Sequence, residues 1–235
     1  MLLSTGMTPL RIRRIIASLV VATAACGGNA PGGVQPASQQ APTAQGDSAA
    51  IAKARADSTR YPYTRADVHF MSAMIGHHAQ AIEMAGWAPT HGAGPSVRIL
   101  AERIINAQQD EIATMQRWLA DRLQPVPEAT PKGMKMMMNG VEHVMLMPGM
   151  LTEEQMKQLD QAGGVEFDRL FLIFMIQHHR GAVTMVDELF GSYGAGQDET
   201  VFKFASDVNV DQGTEIDRME KMLAALRSQP QSRKH

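Results

Sequence analysis

Residues 67–85 read DVHFMSAMIGHHAQAIEMA, and residues 168–186 read DRLFLIFMIQHHRGAVTMV. Both begin with Asp, carry Met seven residues on, a His pair at ten and eleven, and a second Met at seventeen. On a helix each residue advances about 100°, so Asp67, Met74, His78, Ala81 and Ala85 share one face. Asp168, Met175, His179, Ala182 and Val186 share the equivalent face. His77 and His178 lie about 80° to one side, each followed seven residues later by Met84 or Met185. Two imidazoles and two thioethers therefore crowd the inward face of each helix.

The repetition extends further along the chain. At an offset of 104, Gln108, Glu111, Ile112, Met115 and Leu119 align with Gln212, Glu215, Ile216, Met219 and Leu223. The His motifs align at 101, so the second unit carries a three-residue insertion. The spacing predicts helices over 64–87, 96–123, 165–190 and 198–226, with no convincing strand pattern between them. Thr64 with Asp67 and Thr152 with Gln155 have capping-box spacing, the latter opening a short extra helix. Ile99, Ile104, Ile112, Met115, Leu119 and Leu123 supply the apolar positions of the second helix. Long helices joined by short loops pack most simply as a bundle. The expected fold is all-α: a four-helix bundle built from two duplicated helix hairpins. Adjacent and diagonal placement of the two His helices both suit the loops.

Outside the repeats the composition changes. Arg11, Arg13 and Arg14 precede the apolar run 15–25, as in a signal peptide. That run ends at Cys26, the only cysteine, in the context TAACGG. This resembles a bacterial lipobox, with Thr23 where Leu is usual, and marks Cys26 for lipidation. A single Cys leaves no internal disulfide and no site of paired thiolates. Removing residues 1–25 leaves 19 basic against 24 acidic residues, a net charge of −5. No basic stripe remains, which excludes nucleic acid as a partner. The expected organisation is a signal peptide at 1–25, a flexible tether at 26–59 rich in Gly, Pro, Gln and Ser, a bundle at 60–227 and a disordered tail at 228–235. Within the bundle, 124–151 reads as an irregular Met-rich loop containing GMKMMMNGVEHVMLMPGM.

Met on a helical face is usually filler, and a lone inward His usually finds a hydrogen bond in the core. Here four His occupy two matching contexts, flanked by Ala where bulk would fill space better. Buried imidazoles need partners, and the small neighbours leave room for a ligand. Bundle di-iron sites use Glu-x-x-His; this chain has Met-x-x-His at 74–77 and 175–178. Replacing the carboxylate with a thioether favours copper, Cu(I) above all. Binding would then weaken as His protonates near its ordinary pKa of about 6.5.

Asp67…Met74-x-x-His77-His78…Met84 and Asp168…Met175-x-x-His178-His179…Met185 resemble the domain-of-unknown-function 305 family. The MPGM at 147–150 followed by Thr152-Glu153-Glu154-Gln155-Met156 is similar to its mid-domain signature. Gln108-x-x-Glu111 and Gln212-x-x-Glu215 are similar too. The likeness spans about residues 60–226 and departs only in the extra Met of KMMMNG. It implies an exported bacterial protein of ferritin-like fold associated with periplasmic copper binding and resistance.

The expected metal ligands are His77, His78, His178 and His179, with Met74, Met84, Met175 and Met185 completing the coordination and Met147 and Met150 as further contributors. Gln108, Glu111, Gln212 and Glu215 could orient the rings from neighbouring helices. Asp67 and Asp168, about three turns from the His, suit helix-start charges better. The function expected is copper sequestration or transfer, without catalysis, at the periplasmic face of a membrane held through the lipid, with a copper-delivery protein as a second partner. A di-metal redox enzyme would need Glu83, Glu111 and Glu215 to converge, and Glu83 aligns with Thr184. A structural bundle whose His pairs only hydrogen-bond is the third reading.

Overall fold

The computed structural model describes residues 48–49, 51–56, 62–138 and 140–228. The signal peptide, Cys26, most of the tether and residues 229–235 of the tail lie outside them. In chain order the elements are α1 (Arg65–Gly86), α2 (Pro95–Asp121), β1 (Met134–Met138), β2 (Val141–Met145), α3 (Glu153–Asp160), α4 (Val165–Gly191) and α5 (Glu199–Ser228). The described chain is thus helical apart from one short hairpin. No described helix is long and apolar enough to cross a membrane.

The helix ends form where their chemistry puts them. The Thr64 hydroxyl accepts from the Asp67 N–H at 3.3 Å, and the Thr64 N–H donates to Asp67 Oδ2 at 2.6 Å. Thr152 and Gln155 make the same reciprocal cap for α3. Asp198 accepts from the N–H groups of Thr200 and Val201 at the start of α5. It also receives Trp118 Nε1–H at 3.0 Å and the Arg122 guanidinium at 2.6 Å. The end of α2 is thereby fastened to the beginning of α5.

α1 packs along α2, α4 packs along α5, and α1 and α4 touch directly. The last contact is antiparallel. Asp67, opening α1, accepts from the Gly196 N–H just past α4 at 2.7 Å. Asp168, opening α4, accepts from the Gly94 N–H just past α1 at 3.0 Å. The core divides into two apolar clusters. One holds Met71, Met74, Met115, Met147, Met150 and Met185; the other holds Met84, Met175 and Met219.

Three expectations need correction. The Met-rich segment is not wholly irregular: Met134–Met138 pairs antiparallel with Val141–Met145, Met138 facing Val141. Asn-Gly between two five-residue runs is a strong hairpin signal, and Gly140 supplies the positive φ of +79° that such a turn requires. On α2, Ile99 is 55% exposed because Val97 and Leu100 take the inward face. Leu123, 66% exposed, lies past the helix end. Residues 51–56, inside the segment expected to be a tether, are helical, and Ala54 is buried. The sequence AAIAKARA there is rich in the strongest helix formers.

Candidate metal centre

The antiparallel contact of α1 with α4 brings the two His pairs together. His77, His78, His178 and His179 are all fully buried. The His77 and His178 rings lie 3.8 Å apart between centroids, and the two rings within each pair 6.3 Å apart. The expected thioethers are buried too, but divide between the clusters: Met74 and Met185 in one, Met84 and Met175 in the other. An antiparallel crossing produces this arrangement, setting the Met before one His pair beside the Met after the other. Met147 and Met150 join the first cluster, bound to each other through the Met147 N–H and Met150 Sδ at 3.4 Å.

The hydrogen bonds fix the state of the rings. His77 Nε2–H donates to the Pro148 carbonyl at 3.0 Å, and His178 Nε2–H donates to the His77 carbonyl at 2.9 Å. His179 Nε2–H donates to Glu215 Oε2 at 2.7 Å. His78 Nε2 approaches Glu111 Oε2 to 2.6 Å, matching the other half in distance but with poorer alignment. In a neutral imidazole with Nε2 protonated, Nδ1 carries a lone pair. All four Nδ1 atoms are buried and have no hydrogen-bond partner. Each such group costs about 1–3 kcal/mol, and native cores hold few of them.

Burial sets the protonation. Removal from water, with the neighbouring His78 adding to it, lowers the pKa of His77 to about 3. Burial likewise holds His178 well below its ordinary value, followed by the charges on His77, His179 and His78. These rings are neutral throughout the physiological range. That corrects the expected proton limit near 6.5: for His77 and His178 the lone pairs persist to far lower pH.

The remaining expectations sort cleanly. Glu111 and Glu215 reach the rings, whereas Gln108 and Gln212 are buried with amide atoms unpartnered. Asp67 and Asp168 hold the turns beyond the opposite helix and play no part at the rings. Glu83 does not join Glu111 and Glu215. Partial burial and Asp160 raise its pKa, and Lys132 opposes them. Among the described residues, no three His, Cys, Asp or Glu side chains form a ready metal-binding group.

Sequence reasoning missed how the MPGM segment closes the site. Its Pro148 carbonyl lies so near α4 that a Cβ at Gly181 would meet it at 1.9 Å. Gln80 on α1 holds the end of the segment, donating to the Leu151 carbonyl at 3.0 Å and accepting its N–H at 2.7 Å. Gln177 on α4 donates to the Gly149 carbonyl at 3.3 Å. The signal was present in the aligned motifs, GHHAQ at 76–80 against QHHRG at 177–181, where Gly and Gln exchange places.

Fold and site together define a helical protein with a sealed cluster of four imidazoles where two helices of matching motif cross. The family model of DUF305, a domain of unknown function, matches residues 67–223, and the chain belongs to that family. A DUF305 protein of Streptomyces coelicolor is similar at 28% identity and TM-score 0.58, over 70% of this chain and 95% of that one. A DUF305 fragment from Deinococcus radiodurans is similar at 28% identity and TM-score 0.57, over 70% and 99%. CopM in its Cu(I)-bound form is similar at 27% identity and TM-score 0.51, over 68% and 96%. Its Cu(II)-bound form is similar at 28% and 0.52 over the same shares. No curated protein gives a significant match.

Proposed function

We propose that this protein binds copper, as Cu(I), between the paired imidazoles of α1 and α4, and that it stores or passes on the ion without catalysing a reaction. The observation that carries this is the set of four buried Nδ1 atoms without partners on rings whose Nε2 atoms are directed to oxygen. Oxygens that accept from the Nε2–H of a ring fix its tautomer and orient its other nitrogen toward a metal. A metal–imidazole bond is about 2 Å long, so rings 6.3 Å apart between centroids can hold one ion between them. Buried thioethers on the same helices add soft donors, which select Cu(I) over harder cations. The copper-bound forms of the similar protein CopM support the choice of metal.

In this reading His77, His78, His178 and His179 are the primary ligands. Met74, Met84, Met175, Met185, Met147 and Met150 adjust the coordination. Glu111 and Glu215 orient His78 and His179. The four long helices act as a ferritin-like bundle of two duplicated hairpins, exported and lipid-anchored through Cys26 to the periplasmic face of a membrane, from which a delivery partner would receive the ion. The di-metal oxidase reading loses support because Glu83 sits beside Asp160 and Lys132.

Metal analysis of protein purified from copper-supplemented cells tests the proposal. Copper should be retained, and lost when all four His are replaced by Ala. Copper unaffected by that replacement would overturn the ligand assignment. Retained iron or manganese would favour the oxidase, and no metal at all the structural bundle. Cys26→Ser should release the protein from membranes.

A further inference from the structure

The four rings are sealed from solvent, so an ion needs a way in. A groove of about 650 Å³ opens between the start of α1, the end of α4 and the segment following β2. Its walls carry His69, Met145, Met147, Pro148, Met185 and Glu188. His69 and Glu188 are exposed and Met145 is 44% exposed, whereas Met147 and Met185 are buried. Donors therefore pass from imidazole and carboxylate in water, through an accessible thioether, to thioethers inside the core. Met147 and Met185 share their apolar cluster with Met74, one turn before His77. Pro148, also on the wall, accepts the hydrogen bond from His77 Nε2. Pro148 thus belongs both to the groove wall and to the contacts of the buried His77 ring.

We infer that this groove is the loading site for the metal: His69 and Met145 capture a soft monovalent ion and pass it by way of Met147 and Met185 to the imidazoles. The inference rests on the copper-binding reading above and extends it to residues outside the buried centre. Thioethers suit the task because they bind Cu(I) or Ag(I) without exchanging a proton. Each transfer exchanges one donor for another around the ion with no change of oxidation state.

The test is a transfer experiment under reducing, oxygen-free conditions, with Cu(I) supplied as the complex of a weak chromogenic chelator. The His69→Ala, Met145→Leu double variant keeps the apolar bulk at 145 and removes the sulfur. Its loading should slow by roughly an order of magnitude, while the final copper-to-protein ratio and the equilibrium competition curve stay as in the wild type. Both side chains are exposed, so the thermal transition should not move. An unchanged rate would overturn the inference. So would a drop in equilibrium affinity matching the drop in rate, because the two residues would then be final ligands. A wild type that takes up no Cu(I) would instead remove the metal-binding reading, and the groove with it.

Discussion

The two His pairs sit in matching motifs but are not equivalent in the structure. In α4, His178 is held by the backbone of α1, through the His77 carbonyl. In α1, His77 is held by the Pro148 carbonyl of a segment that crosses both helices. Gln80 grips that segment from α1, while the equivalent position of α4 is Gly181, over which it passes. The matching motifs carry the rings and their carboxylates, and the segment between them makes one half the floor of the site and the other its clasp. What a repeat builds symmetrically, one connecting segment can make directional.

The largest expected effect treats the halves as alike. His77 and His178 both have folded-state pKa values far below 6.5. The unfolded chain therefore binds more protons than the folded one below that pH, and stability must fall on acidification from about 6.5 toward 3. Two such groups steepen the loss for the metal-free protein to at most about 3 kcal/mol per pH unit. Urea unfolding between pH 7 and 5 measures it. Half that slope would mean that only one ring stays neutral.

A Cβ at Gly181 breaks the asymmetry directly, because it must displace the Pro148 backbone. Gly181→Ala should cost about 3 kcal/mol. Gly76→Ala, whose nearest obstacle is the Thr130 carbonyl at 3.3 Å, should cost under about 1 kcal/mol. Equal losses in chemical denaturation would show that the segment yields freely.

Gln80→Ala leaves the buried N–H and carbonyl of Leu151 without partners and should cost about 2 kcal/mol. Gln177→Ala, which gives up two longer, half-buried bonds, one to the Gly149 carbonyl and one from Gln155, should cost about half as much. The smallest difference is expected at the carboxylates. Glu111→Gln and Glu215→Gln should each weaken Cu(I) binding by about 10-fold or more, and by similar factors, in chelator competition. A large disparity would extend the asymmetry to the outer ends of the rings.

Much of this was legible in the amino acids. The 3.6-residue period placed the His and Met on inward faces, and the capping spacings placed the starts of α1 and α3 to within a residue. Glu111 and Glu215 could be singled out because their alignment repeats beside the His helices. The Asn139-Gly140 hairpin was missed because its flanking residues are mostly Met, which carries little strand signal, although the turn residues were there. The exposure of Ile99 was not readable from hydrophobicity, since it depends on how α2 is rotated against its neighbours. The part played by Gly181 was hidden for the same reason: it is small on account of a carbonyl more than thirty positions away in sequence.

The crossed carboxylates of Asp67 and Asp168 have a further consequence. Each satisfies a backbone N–H in the turn beyond the other half's helix, so neither half is self-sufficient. This is the bonding logic of an isologous pair, in which one patch serves both sides of a two-fold axis, carried here on a single polypeptide. A peptide comprising one half alone would gain these bonds only by associating with a second copy of itself, and its folding would then depend on concentration in a way that the full-length chain escapes.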